Sequence, residues 1–315
     1  MSSSHNKPKV LAIVGPTASG KSTLAVTLAR RFNGEVISAD SRQIYRELNI
    51  GTGKITRREM QDVPHHLLDI VSPKRQLTVA EYKKKADKAV DNISLRGKLP
   101  ILCGGTGFYI DAVLKNITFP EVAPQHALRK KLEIFSANTL YKKLARLDPK
   151  RAKTIDHHNK RRLIRALEIL AATKKPIPTI RVISPYDVLK IGINLHPSVL
   201  RSKIKTRLLK RIKQGLIAEV SELRTQGLSW QRLDALGLEY RYVSQYVRNS
   251  KEHPSTRARD AHMRAAMIKK LEVEIWRYAK RQITWFKRDS YTHWINNPRE
   301  ATHLVQKFLH SKKRP

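Results

Sequence analysis

Lys9 to Val14 reads KVLAIV, an unbroken apolar run of the kind that marks a strand covered on both faces. The next residues, GPTASGKST at Gly15 to Thr23, are glycine-rich and polar. LAVTLARRF then returns to apolar positions three and four apart, the spacing of a helix. Strand, loop and helix thus come in order. Two further strands are predicted, Glu35 to Ser38 and Leu99 to Cys103. The first runs into ADSRQIY and the second into GGTGFY. Strands of this kind predict a parallel central sheet. Such a sheet takes its ligand beyond the carboxyl ends of its strands, so the three loops should meet at one crevice.

From Lys115 the pattern changes. About eighty residues show little strand character, many basic positions and helical spacing, as in ALRKKLEIF and NKRRLIRALEILAATKK. KPIP at Lys175 to Pro178 ends this stretch, because proline cannot extend a helix. Val188 to Leu195, VLKIGINL, reads as a strand returning to the core sheet, and helices follow at Pro197 to Gly215 and from Thr256 to Lys287. The expected organisation is a catalytic core of residues 1–114 and 196–315, interrupted by a mainly helical insertion over 115–195 whose strand 188–195 belongs to the core. There is no internal repeat. SKKRP at the end is expected to be disordered, and the tail after Lys287 carries no functional signal.

Charge changes this picture. The 315 residues hold 63 Lys plus Arg against 26 Asp plus Glu, a formal charge of +37, far beyond what solubility requires. A polyanionic partner is the direct physical reading, with a host whose proteins are generally basic as the plain alternative. The clusters are local: Arg161, Arg162 and Arg165 share one predicted helix, and WRYAKRQITWFKR mixes Arg277, Lys280, Arg281, Lys287 and Arg288 with aromatic rings. Charge that tracks phosphates beside stacking platforms suits structured RNA. Core packing is the simpler reading for Trp285 and Phe286, with Lys280 and Arg281 on the outside.

Cys103 is the only cysteine, which excludes an intrachain disulfide framework and a Cys-rich zinc site and suits a reducing compartment. No apolar run approaches the roughly 18 residues of a membrane span, and MSSSHNKPK lacks a signal-peptide core. A cytoplasmic, unprocessed, monomeric protein without a membrane partner is expected.

GPTASGKS fits the phosphate-loop pattern, Gly, four residues, Gly, Lys, then Ser or Thr, in the strand-to-helix setting it requires. The fold class is therefore α/β, a P-loop NTPase-like three-layer core with a parallel central sheet and a helical insertion domain. Gly15 and Gly20 permit the turn, and the amides of Thr17, Ala18, Ser19, Gly20, Lys21 and Ser22 can wrap a diphosphate. Lys21 adds a point charge and the Ser22 hydroxyl can hold Mg²⁺. The loop specifies phosphate without specifying a nucleotide. In an ordinary NTPase an apolar strand would end in Asp beside this loop, but Leu99 to Cys103 ends in glycine and threonine. ADSRQIY instead presents Asp40, Ser41, Arg42 and Gln43. Asp40 can accept a proton and Gln43 can read a base edge, while a plain helix cap is the alternative for Asp40. Thr106 in GGTGFY can donate to a bridging phosphate oxygen. His65 and His66 precede Asp69, yet no further ligand has the spacing of a metal site.

These segments together resemble the transfer RNA dimethylallyltransferases, also called isopentenyltransferases. The resemblance runs from about Lys9 to Trp285 and is carried by GPTASGKS, ISADSRQIY with IGTGK, HHLLD at His65 to Asp69, GGTGFY, RRLIRALEIL at Arg161 to Leu170, and YAKRQITWF at Tyr278 to Phe286. It implies transfer of a dimethylallyl group from its diphosphate to N6 of adenosine 37 in transfer RNAs, among relatives those reading codons that begin with U. The insertion would grip the anticodon arm. By this resemblance Asp40, Thr106 and Arg207 are the catalytic residues. Lys21 with the phosphate-loop amides and a Mg²⁺ on Ser22 would hold the diphosphate. Asp40, Ser41, Arg42, Gln43, Thr106, Arg161, Arg162, Arg165 and Arg281 would face the RNA. Arg207 lies in a helix carrying seven Lys or Arg between Arg201 and Gln214, for which a solvated face is the alternative. The family pattern has Arg and Met where this chain has Lys203 and Arg211. LGLEYR at Leu236 to Arg241 stands where many relatives have Gly-Tyr-Lys-Glu, and is an RNA-contact candidate. An ATP-dependent kinase, a non-catalytic RNA-binding protein and an enzyme prenylating free adenine nucleotides remain as alternatives.

Overall fold

The computed structural model describes residues 7–178, 183–252 and 256–311. The expected disordered SKKRP therefore falls, after Ser311, outside the described residues. In chain order the first half comprises β1 (Lys9–Val14), α1 (Lys21–Arg31), β2 (Gly34–Ser38), α2 (Arg57–Met60), β3 (His65–His66), α3 (Val79–Leu95), β4 (Leu99–Cys103) and α4 (Gly107–Leu114). Four helices follow: α5 (His126–Glu133), α6 (Ala137–Leu147), α7 (Pro149–Thr154) and α8 (Lys160–Thr173). The chain then forms β5 (Asp187–Ile193), α9 (Pro197–Lys213), α10 (Leu216–Thr225), α11 (Trp230–Leu236), α12 (Leu238–Glu252), α13 (Arg257–Lys287), β6 (Thr292–Ile295) and α14 (Pro298–His310).

The six strands form one sheet in the order β3-β2-β4-β1-β5-β6, with every pair parallel. β1 is central because all of its side chains from Val10 to Val14 can be buried, and they are. Its alternation divides them between two layers. Val10, Ala12 and Val14 join the cluster packed by α3, α4 and α9 to α13, while Leu11 and Ile13 join the cluster packed by α1 and α14. Removing most of either Leu11 or Ile13 would cost about 2–5 kcal/mol, since the tightly packed layers cannot collapse onto the gap. The three layers expected of the core are therefore present. β3 and β6 were not legible as strands: one is two residues long, and the other lies in the tail that showed no pattern.

The chain divides into two compact units, residues 1–116 with 184–315, and 117–183. The larger unit includes β5, which pairs along its length with β1, from Lys9 opposite Asp187 to Val14 opposite Gly192. The smaller unit has its own core of Leu132, Leu140, Leu144, Leu163 and Leu167. Its buried Glu168 accepts hydrogen bonds from the Gln125 N–H and from the guanidinium groups of Arg129 and Arg165. Burial alone would raise this carboxyl, but those donors outweigh it and hold it at about 2. Asp148 caps α7 through the Arg151 N–H and also accepts from the Ile177 N–H, so one carboxylate ties the KPIP segment to the helices.

Candidate active site

The phosphate loop occupies the turn between β1 and α1. Gly15 is at φ +142°, Ala18 at +62° and Gly20 at +93°, so the turn needs left-handed backbone at three places. The first turn of α1 carries no acidic residue and no side-chain cap, which leaves its N–H groups, Lys21 and Ser22 among them, without an internal partner. The Ser22 side chain is exposed at this end, whereas the Ser19 hydroxyl is buried without a hydrogen-bond partner. Lys21 folds back to donate to the Pro16 carbonyl at 2.6 Å. Burial pulls its ammonium down to about 8; the charge of Arg207 adds to that effect and Asp40 opposes it. Two of the loop amides already have partners: the Thr17 N–H donates to the Gln282 Oε1 at 2.7 Å and the Ser19 N–H to the Pro16 carbonyl at 3.3 Å.

β2 and β4 lie side by side, and their loops are stitched together. The Ala39 N–H donates to the Cys103 carbonyl at 2.8 Å, and the Thr106 N–H donates to the Ala39 carbonyl at 3.2 Å. A Cβ on Gly104 would lie 2.1 Å from the Ala39 oxygen, so the close approach of these loops requires glycine there. Asp40 follows directly. Its Oδ1 accepts from the Arg42 N–H at 2.9 Å in a local turn, so Asp40 is not the cap of a helix. The Thr106 hydroxyl accepts from the Ser41 N–H at 3.0 Å and lies 3.3 Å from the Ser41 hydroxyl. Gln43 turns its amide N–H₂ toward the Gly53 carbonyl at 3.3 Å, and Arg42 reaches the Ala235 carbonyl at 3.5 Å.

Of the seven basic residues in α9, only Arg207 and Arg211 turn inward; the other five are exposed. Their spacing of four puts both on the face that meets the IGTGK loop. Arg207 donates to the Gly53 carbonyl and Arg211 to the Gly51 carbonyl, each at 3.2 Å. Burial, aided by the charge of Arg211, lowers the Arg207 guanidinium to about 10, and Asp40 and Glu239 oppose the shift. The loop itself hangs on Glu219, whose carboxylate accepts the N–H groups of Asn49, Ile50 and Gly51 and the Tyr240 hydroxyl. Glu219 and the Arg211–Glu239 pair carried no signal in the sequence. Glu239 comes from LGLEYR, so that segment makes a contact inside the protein.

Gln282 was also missed as a site residue, although it stands inside the quoted YAKRQITWF segment. Phe286 packs in the core, as its plain reading held, and Trp285 is half-buried with its Nε1–H donated to Asp111. Arg281 is exposed over the Tyr278 ring. In the smaller unit Arg161 and Arg162 are exposed, whereas Arg165 binds Glu168 and the Val122 carbonyl. His65 and His66 bond to the Val63 carbonyl and to Glu35. Among the described residues no cluster of His, Cys, Asp and Glu could hold a metal by itself. A Mg²⁺ would fit only as the companion of a diphosphate, held by the Ser22 hydroxyl, phosphate oxygens and water. β4 ends at Cys103, whose buried thiol is pushed up to about 12 and therefore remains neutral where an NTPase would place a carboxylate.

A protein-family model described as IPP transferase matches residues 43–289. The chain is 40% identical over 298 residues to a tRNA dimethylallyltransferase of Caldanaerobacter subterraneus subsp. tengcongensis, covering 91% of each chain. It is also 40% identical over 297 residues to a tRNA dimethylallyltransferase of Oceanobacillus iheyensis, again covering 91% of both. Among solved structures it is similar to the tRNA isopentenylpyrophosphate transferase of Bacillus halodurans, at 35% identity and a TM-score of 0.71. That match covers 96% of this chain and 97% of the other. Among the described residues no helix is long and apolar enough to cross a membrane.

Proposed function

The chain belongs to the IPP transferase family, and from that premise we propose that its three loops transfer a dimethylallyl group from dimethylallyl diphosphate to N6 of adenosine 37 in transfer RNA. The protein is a transferase that modifies transfer RNA. The observation that carries the residue-level reading is the meeting of Lys21, Asp40, Thr106 and Arg207 around the carboxyl ends of β1, β2 and β4, with no carboxylate at the end of β4.

The free N–H groups at the start of α1 and the ammonium of Lys21 hold the diphosphate. A Mg²⁺ would be held by the Ser22 hydroxyl, which is exposed at the start of α1, and would supply further positive charge to the diphosphate. As the allylic carbon–oxygen bond breaks, charge grows on the bridging oxygen. Arg207 answers it from a half-buried position, and Thr106 does so by turning its hydroxyl proton away from Ser41. The N6 amine is a weak nucleophile because its lone pair is delocalised into the ring. Asp40 accepts the proton that N6 loses as the new nitrogen–carbon bond forms, and diphosphate departs. The base must leave the stack to reach this pocket. Exposed Arg161, Arg162 and Arg281 track the RNA backbone, with Ser41, Arg42 and Gln43 beside the base.

The test is transfer of label from dimethylallyl diphosphate to unmodified transfer RNA in the presence of Mg²⁺. Label that disappears when adenosine 37 is replaced supports the reading. Label entering only free AMP would assign the chain to nucleotide prenylation, and label in neither would overturn the reading.

A further inference from the structure

Gln282 projects from the C-terminal part of α13, the longest helix among the described residues, and is 6% exposed. Both ends of its amide are engaged by loops of the site. Oε1 accepts the Thr17 N–H at 2.7 Å, and Nε2 donates to the Gly105 carbonyl at 2.8 Å. A single side chain thus joins the phosphate loop to the loop after β4. The connection continues through backbone alone: Gly105 is followed by Thr106, whose N–H donates to the Ala39 carbonyl, and Ala39 is followed by Asp40.

The glycines of GGTGFY make room for this helix. A Cβ on Gly105 would stand 2.2 Å from the Gln282 Nε2, and a Cβ on Gly107 would stand 2.2 Å from the Trp285 ring. Gln282 and Trp285 are three apart on α13 and so press on the loop from one face. Glutamine suits the first position because it presents an acceptor and a donor at once. A carboxylate would offer no donor to the Gly105 carbonyl, and an apolar side chain would leave a part-buried N–H and a buried C=O without these partners.

We infer that Gln282 is a positioning residue: its amide sets the distance between the loop that holds the leaving diphosphate and the loops that carry Thr106 and Asp40. It touches none of the reacting atoms. Its effect is on alignment, where a misplacement of about 1 Å is enough to slow a reaction by about 100-fold. The inference rests on the transfer reaction proposed above. It also accounts for Thr17, whose N–H is spent on Gln282 and is not part of the diphosphate cradle.

The test compares wild type with Gln282→Met and Gln282→Glu, measuring transfer to unmodified transfer RNA, affinity for inorganic diphosphate with Mg²⁺, and thermal midpoint. Both variants keep the length of the side chain. We expect kcat to fall at least about tenfold, equivalent to about 1.4 kcal/mol in the barrier, with the KM for transfer RNA within about twofold of wild type. Gly105→Ala, which would drive a methyl group into the Gln282 amide, should also lose activity. Unchanged kcat in a folded Gln282→Met would overturn the assignment. Absence of transfer by wild type would instead remove the reaction on which it rests.

Discussion

Arg211 and Glu239 form an ion pair at 2.6 Å, with 8% and 12% of their side chains exposed, next to the half-buried Arg207. Two guanidinium groups meet at Gly53, where a Cβ would stand 1.9 Å from the Arg211 Nη2 and 2.3 Å from the Arg207 Nη2. Glu239 offsets the charge that this crowding brings together. Glu239→Gln should destabilise the protein by about 3–5 kcal/mol, because Arg211 would remain buried and unpaired. Arg211→Met together with Glu239→Gln should recover most of that loss, read from urea midpoints. A double variant no more stable than the single one would show that the pair is not self-contained.

Lys21 makes diphosphate binding pH-dependent. Its pKa lies near 8 in the free protein, below the ordinary 10.5, so the ammonium is complete only below about pH 8. Affinity for diphosphate should be level below that pH and fall as the pH rises through it, with uptake of a proton on binding. The same shift means that, up to pH 8, the buried charge subtracts from folding stability, a cost that fades as the pH approaches 10.5. Calorimetry in buffers of different ionisation enthalpy reads the proton, and Lys21→Met should abolish its uptake.

Asp40→Asn removes the proton acceptor but keeps a side-chain oxygen for the Arg42 N–H. Turnover should drop by about 10²–10⁴, the usual contribution of a positioned base, while affinity for transfer RNA changes little. Wild-type turnover in this variant would remove Asp40 from the chemistry.

Arg161→Glu with Arg162→Glu should weaken transfer RNA binding most at low salt and flatten the dependence of affinity on salt, as loss of phosphate contacts does. Equal affinity and slope would mean that these exposed residues are only a solvated face.

Glu168→Gln should loosen the smaller unit by about 2–4 kcal/mol, since Arg129 and Arg165 lose a buried anion. Held at about 2 against an ordinary 4.5, the carboxylate contributes stability that is complete above about pH 4.5 and is lost as the pH falls toward 2. Hydrogen exchange in residues 117–183 measured down that range should show protection declining, and declining less in the variant.

The elements with a strong local pattern were legible before any coordinates. KVLAIV became β1 because Val10 to Val14 are all apolar, and the glycines of GPTASGKS form the turn before α1 because left-handed backbone is needed there. Glu35 was legible only as part of a strand; its bonds to Arg96, Lys98 and His66 join residues that no spacing rule connects. Gln282 and Glu219 escaped for the same reason. Each acts on backbone groups far away in sequence, and a backbone N–H carries no residue signature. In α9 the sequence left several cations equivalent, and only packing on the IGTGK loop separated Arg207 and Arg211 from the exposed five.

β1 and β5 are neighbours in the sheet, yet residues 15–186 are made between them. During translation β1 can pair with β4 as soon as residue 103 emerges, but its other backbone edge stays bare until the whole of Ile117–Ile183 has followed. The helical unit closes through contacts short in sequence and so folds quickly. A nascent chain halted before residue 187 would therefore have a finished helical unit while an apolar strand edge of the core stays open, a species prone to pair with another copy of itself.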